Sequence, residues 1–254
     1  MKYIISLVIR KVPRKYLQRV SHFALGFMAL FYKGNKVEDP ISGKTYRKFL
    51  PYGRVPRENA LCPGSLSLER HRLMWLYLKE KTNFFTAPLK VLHIAPEHCF
   101  IDRFEALKNL EYITADIESP LAKVKMDVHQ IPFDDNTFDV CFCNHVMEHV
   151  DDDIKAMSEI NRVLKPGGWA IIQSPIDESL ESTYEDPSIV TPAEREKAYG
   201  QNDHVRTYGR DYADRLTKGG FNVSEETYVQ ELPAEKIERY ALPKNEIIYL
   251  CRKG

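Results

Sequence analysis

Between residues 88 and 175 the chain alternates short apolar runs with polar, helix-spaced stretches. The runs at 89–95, 112–116, 138–143 and 169–173 are almost continuously apolar, as strands buried on both faces of a parallel sheet are. Each is closed by a polar or charged residue. In an open α/β sheet that carboxyl edge is where a ligand binds. Between the third and fourth runs, Ile154, Met157, Ile160 and Leu164 recur at helical spacing. Asp151-Asp152-Asp153 precede them, where the positive end of a helix favours acids. This placement reads the triple acid as capping chemistry, not as a metal site. Lys165-Pro-Gly-Gly168 is expected to stop that helix.

Outside this block the pattern predicts fewer elements. Residues 66–81 read as a helix with Leu66, Leu73, Trp75 and Leu76 inward and Glu69, Arg70, Arg72 and Lys79 outward. The stretch 176–208 has no strand pattern, and a loop longer than ~15 residues in a compact domain is usually functional or disordered. Inside it Thr191-Pro192-Ala193-Glu194 has the form of a capping box with proline at the first helical position. Residues 210–218 read as a helix capped by Gly219-Gly220, and 221–229 and 246–251 as the last two strands. At the other end, Leu17, Val20, Ala24, Phe27 and Phe31 oppose Arg14, Lys15, Gln18, Arg19 and His22. Residues 1–36 therefore read as a basic amphipathic helix. It is expected either to pack on the domain or to lie on an anionic membrane face.

Composition narrows the class. The 254 residues are 43% hydrophobic and 28% charged with zero formal net charge, which suits a globular protein and gives no global pull toward nucleic acid. Eight of the 36 residues at the N-terminus are Lys or Arg and none is acidic, whereas 177–206 holds eight acids against three basic residues. The acidic insert argues against a polyanionic substrate. Five cysteines, several inside apolar runs, suit buried thiols in a reducing compartment. No apolar run approaches the roughly 20 residues of a membrane span. A cytoplasmic location is expected, with peripheral contact at the inner membrane face through 1–36 as one possibility.

Two knuckle-like turns stand upstream, Asp39-Pro-Ile-Ser42-Gly43 and Cys62-Pro-Gly-Ser65, with 19 residues between Ser42 and Cys62. With cysteines at all four ends this would have zinc-ribbon spacing. One thiolate, one carboxylate and two hydroxyls do not make zinc's closed N/S site, so 37–65 is expected to fold without metal.

The motifs in order are His93-Ile94-Ala95-Pro96-Glu97, Tyr112-Ile-Thr-Ala-Asp116, Lys125-Met-Asp127-Val128, Pro132-Phe133 with Phe138-Asp139, and Arg162-Val-Leu-Lys-Pro-Gly-Gly168. Together they resemble the class I S-adenosylmethionine-dependent methyltransferases, in particular the methyltransferase type 11 group and a subgroup of it with an N-terminal cysteine knuckle, here degenerate. The resemblance implies a Rossmann-like seven-stranded sheet with helices on both faces, its last strand antiparallel. It places the methyltransferase domain at 66–254, with 176–208 covering a small-molecule acceptor and the 66–81 helix closing over the cofactor cleft. S-adenosylmethionine is the implied cofactor, and the implied reaction is methyl transfer to an oxygen or nitrogen. The residues expected around the cofactor are His93, Ala95, Pro96, Glu97, Asp116, Ile117, Asp127, Val128, Asn144 and His145.

The roles differ. Ala95 is small, Pro96 holds φ near −65° without a left-handed glycine, and Glu97 can accept from the cofactor's ammonium. Asp116 is placed either to bond a ribose diol or to cap a helix. Asp127 and Val128 would meet the adenine, and Asn144 and His145 the sulfonium. His145, His149 and His204 are candidate bases, because imidazole titrates near neutrality; the other role of His145 and His149 is to shape the pocket wall, and that of His204 is to hold the insert through Asp203 or Asp186. A non-catalytic binding module on the same fold is the alternative. A nicotinamide enzyme is disfavoured because no G-x-G-x-x-G is present.

Overall fold

A computed structural model describes residues 29–254. The basic helix expected over 1–36 therefore lies mostly outside the described residues. Its last part is corrected: Lys33 and Lys36 fall in strand β1 (Lys33–Asp39), which pairs antiparallel with β2 (Lys44–Tyr46). A second hairpin joins β3 (Leu50–Tyr52) to β4 (Arg57–Leu61). The two expected knuckles follow β1 and β4. Buried Asp39 accepts from the Ser42 hydroxyl at 2.6 Å and the Ser67 hydroxyl at 3.0 Å. Burial first, then the charge of Asp39, pushes the Cys62 thiol up, while Ser65 donates to it. Hydrogen bonds to one carboxylate thus tie the two turns together.

Helix α1 (Glu69–Lys81) completes this part of the chain. Its Arg72 was expected on the outer face and is instead fully buried. The reason lies in backbone accounting. Arg72 donates to the carbonyls of Asn59, Ala60, Ser67, Tyr240 and Ala241, which belong to three separate segments. Its guanidinium also lies over Phe49, 4.5 Å from the ring centroid. Five donors in a planar fork serve buried and part-buried carbonyls that would otherwise lack a side-chain donor. The chain accordingly divides into two compact units: one runs to Thr82 and resumes over Val229–Glu246, and the other comprises Asn83–Tyr228 and Ile247–Gly254.

The second unit is built on a seven-stranded sheet. Its strands are β5 (Leu89–Ile94), β6 (Leu110–Asp116), β7 (Val124–Lys125), β8 (Phe138–Asn144), β9 (Leu164–Gln173), β10 (Asn222–Glu226) and β11 (Ile248–Arg252). The spatial order is β10-β11-β9-β8-β5-β6-β7. Strands β5 to β9 are parallel where they pair, and β11 runs antiparallel to both β9 and β10. This is the Rossmann-like arrangement expected, including the antiparallel edge. From β5 the chain builds outward to β6 and β7, then returns to place β8 on the other side. The switch point of the sheet is therefore the β5/β8 pair, and the crevice at their carboxyl ends is where such folds bind ligands.

Four of the helices surround the sheet: α2 (His98–Glu105), α3 (Asp153–Val163), α4 (Pro192–Tyr199) and α5 (Tyr212–Lys218). Asp152 caps α3 by accepting from the Lys155 N–H at 2.9 Å, the role the triple acid was assigned. The α4 capping box forms as expected: Thr191 accepts from the Glu194 N–H and Glu194 from the Thr191 N–H. The Pro132-Phe133 motif is held by α3. Glu159 accepts from the Ile131 N–H, while Arg162 donates to the carbonyls of Ile131 and Phe133 and to Glu159 itself. The glycines after Lys165 do not end the helix as expected, because β9 already begins at Leu164, opposite Phe138.

Candidate active site

Strands β5 and β8 end in the same way. Ala95 follows β5 with φ +50°, and His145 follows β8 with φ +56°. Left-handed backbone at a residue other than glycine costs on the order of 1–3 kcal/mol and gathers at functional sites. Here two such residues sit side by side at the switch point. The expectation that Pro96 lets the first turn avoid a left-handed residue is thus corrected. Pro96 has its own φ fixed by its ring, so the reversal falls on the residue before it, and Ala95 has the smallest side chain that can bear it.

His93 is also corrected. It is fully buried, with both ring nitrogens engaged, and so does not line the crevice. Its Nδ1 pairs with the Tyr112 hydroxyl at 2.7 Å and its Nε2 with Glu97 at 2.6 Å. A carboxylate only accepts, so Nε2 carries the proton and the phenol donates to Nδ1. Burial, and after it the charge of Glu97, pushes the Tyr112 phenol well up and keeps it a donor. Glu97 accepts a further bond from Asn144 Nδ2 at 2.9 Å. Glu97 thus stands one helical turn after His93, held by His93 and by the last residue of β8.

Asp116 ends β6 half-buried, and its Oδ1 accepts from the Glu118 and Ser119 N–H groups at 2.7 and 2.6 Å. It organises its own turn without capping a helix. Ile117 beside it is 56% exposed, an apolar surface open to solvent at the carboxyl edge. Asp127 is exposed and accepts from the His129 N–H at 2.8 Å; this bond, before the contact with the His129 ring, holds its carboxyl below the usual carboxylate range. Val128 is buried.

The histidines after β8 and His204 of the insert converge more closely than their sequence positions suggest. His145 Nδ1 lies 3.2 Å from Glu148, and the Ser174 hydroxyl donates to the same carboxylate at 3.0 Å. Burial alone would raise the Glu148 carboxyl, but the hydrogen bond and charge of His145 outweigh it and hold it low. His149 Nδ1 donates to the Asp203 carbonyl at 3.2 Å, and its ring meets His204 edge-on at 4.7 Å. Burial, then the neighbouring His149, lowers the pKa of His204. The Asp186 carboxylate bonds its own turn at Ser188, while its backbone bonds the Tyr199 hydroxyl of α4.

A buried arginine holds the insert in place. Arg206 donates to the carbonyls of Met147, Val150 and Asp151 and to Glu185, and the Val205 N–H donates to the Glu148 carbonyl. Asp153, paired with Arg215 and accepting from Tyr208, anchors the same region. Neither Arg206 nor Ser174 was expected at the site; an arginine in a long, mostly acidic insert was the available signal. The opposite, amino edge of the sheet carries a shallow cleft of about 340 Å³ lined by Asn83, Asp139, Lys165, Trp169 and Arg252. No crevice of the switch-point kind is expected at that edge.

The fold and its switch-point residues define a Rossmann-like cofactor domain of the nucleoside-binding kind. Residues 89–172 match the family described as a methyltransferase domain. A ubiquinone/menaquinone biosynthesis C-methyltransferase of Idiomarina loihiensis is 40% identical over 65 residues, 24% of this chain and 26% of that protein. A sterol 4-C-methyltransferase of Caenorhabditis elegans is 34% identical over 88 residues, 35% of this chain and 25% of that protein. The matches thus span about a quarter of the length of these curated relatives. An S-adenosylmethionine-dependent methyltransferase structure from Aquifex aeolicus, 15% identical, aligns over 70% of this chain and 87% of its own with a TM-score of 0.43. The match to that methyltransferase family covers about a third of the chain, inside the sheet unit, and S-adenosylmethionine is the cofactor expected of it. The residues present fit such a cofactor in kind: Asp116, whose Oδ1 serves its own turn, and Glu97, held by His93 and Asn144, are two hydrogen-bond-accepting carboxylates at the carboxyl edge.

Among the described residues no helix is long and apolar enough to cross a membrane.

Proposed function

We propose that the protein transfers a methyl group from S-adenosylmethionine to an oxygen or nitrogen of a small or membrane-associated acceptor. The observation that carries this reading is the pairing of Glu97, bonded to His93 and Asn144, with a histidine-rich face at the end of the adjacent strand. Asp116 would accept from the ribose hydroxyls through the oxygen its turn leaves over. Asp127 would accept from the adenine amino group, beside the backbone at Val128. Glu97 would accept from the ammonium, with the Ala95-Pro96 backbone near the methionine part. Asn144 and His145 would border the sulfonium.

The bound cofactor supplies a methyl group already electrophilic on sulfur. The chain's task is to hold the nucleophile in line with it, which is worth several kcal/mol of barrier. His145, backed by Glu148, and the pair His149 and His204 are placed to take the acceptor's proton. The insert that brings His204 there carries eight acids against three basic residues, which favours an acceptor that is not a nucleic acid.

Calorimetry with S-adenosylhomocysteine tests this. The full chain is expected to bind one equivalent, and Asp116→Ala to lose most of the affinity. A chain that gives no heat is the non-catalytic module instead.

A further inference from the structure

We propose that Glu148, His149 and His204 form a binding site for a first-row divalent transition cation, the reverse of the expectation that the chain holds no metal. One donor atom from each lies within 4.8 Å of the other two. Bonds of about 2.1 Å at tetrahedral angles set ligand atoms roughly 3.4 Å apart. The three donors therefore need to draw in by only about an ångström or somewhat more. His149 stands on an exposed turn and has room to move.

The second observation is His204 Nε2. The residue is 6% exposed, and this nitrogen is buried without a hydrogen-bond partner. An orphaned buried polar atom of this kind is destabilising, and an ion would give it a partner. The surroundings are those of metal-ligating side chains, whose outer atoms are fixed by neighbours. His149 gives its Nδ1–H to the Asp203 carbonyl, which leaves the Nε2 lone pair available. Glu148 is oriented by His145 and by the Ser174 hydroxyl. Arg206 and the Val205 N–H clamp the insert onto the segment after β8, which keeps His204 facing the other two.

Two imidazoles and one carboxylate suit zinc, cobalt, nickel, iron or manganese. They do not suit magnesium or calcium, which favour all-oxygen shells. Three protein ligands leave a position open, as at catalytic metal sites. What that position would do rests on the methyl-transfer reading above. An acceptor hydroxyl taken there would be a stronger acid, with His149 and His204 then serving as ligands and His145 as the base: its O–H bond breaks, the proton passes to His145 and the electron pair stays on oxygen. That oxygen forms the new bond to the methyl carbon as the S–CH₃ bond breaks, and the bonding pair leaves with sulfur.

Binding of the ion does not depend on that reading and is tested without cofactor. The full chain is stripped with a chelator and titrated with cobalt(II), followed by visible d–d absorption, then back-titrated with zinc by calorimetry. One cobalt per chain is expected, displaced one-for-one by zinc. His204→Gln and His149→Ala are each expected to weaken binding at least tenfold. The wild-type cobalt spectrum is read on its own, so that a misfolded variant does not decide the matter. Nitrogen and oxygen ligation supports the site. Thiolate-to-cobalt charge transfer, the absence of stoichiometric binding, or equal affinity in folded variants overturns it. Metal binding without S-adenosylhomocysteine binding would leave this site standing while the methyltransferase reading fails.

Discussion

His93 donates from Nε2 to Glu97 across 2.6 Å, and through that bond a buried side chain of β5 aims a carboxylate at the carboxyl edge of the sheet. Here the strand end holds an imidazole, and the charge stands one helical turn further on. Glu97→Gln removes the charge that meets the ammonium and is expected to weaken S-adenosylhomocysteine binding by about tenfold to a hundredfold, as loss of one charge-assisted hydrogen bond does. His93→Phe keeps the bulk but leaves Glu97 unguided, and a smaller loss in the same direction is expected. Calorimetry reads both. Unchanged affinity in Glu97→Gln would remove Glu97 from the site.

Ala95 and His145 occupy left-handed backbone at adjacent strand ends. Ala95→Gly relieves the strain while adding chain entropy to the unfolded state. The two effects nearly cancel, so thermal unfolding should change by about 1 kcal/mol at most. Ala95→Val, whose branched side chain tolerates that conformation worst, should destabilise by roughly 2 kcal/mol or more. Equal melting temperatures for the two variants would mean the turn is not left-handed in solution.

Arg72 serves five carbonyls from three segments, two of the bonds fully buried and three part-buried. Arg72→Met preserves the packing on Phe49 and abandons the carbonyls. A loss of at least about 3 kcal/mol is expected. Arg72→Lys should rescue little, because one ammonium does not reproduce the planar fork. Denaturant unfolding of the two variants checks this.

The hydrogen bonds from Arg162, ahead of burial and the Ile131 N–H, hold the Glu159 carboxyl down to about 2. A carboxylate depressed in the folded state contributes stability that is fully present above its unfolded pKa of about 4.3. That contribution fades as pH falls through the window down to about 2. Glu159→Gln is therefore expected to cost about 1–2 kcal/mol at neutral pH. The gap should close as acid is added; a pH-independent gap would mean the pairing with Arg162 and Ile131 contributes nothing through charge.

Much of the sheet unit was legible in the sequence because its strands are buried on both faces and read as unbroken apolar runs. The positions of Asp116 and Glu97 near strand ends were legible for the same reason. What escaped was set by contacts distant in sequence. An outward Arg72 is the natural reading of a helical wheel, and only the carbonyls of Tyr240 and Ala241 explain its burial. Pro96 was given the task that Ala95 performs, since φ is invisible to a residue pattern. The meeting of His204 with His149 depends on Arg206 reaching three carbonyls after β8. The triple acid at 151–153, the more conspicuous cluster, went to a helix cap and a buried ion pair.

The central claim is tested most directly by a crystal structure of the full chain with S-adenosylhomocysteine. The account predicts the ribose hydroxyls on Asp116, the ammonium on Glu97 and the sulfur facing His145 at the ends of β5 and β8. A nucleoside found at another edge of the sheet, or a crevice filled by the chain's own side chains, would contradict it.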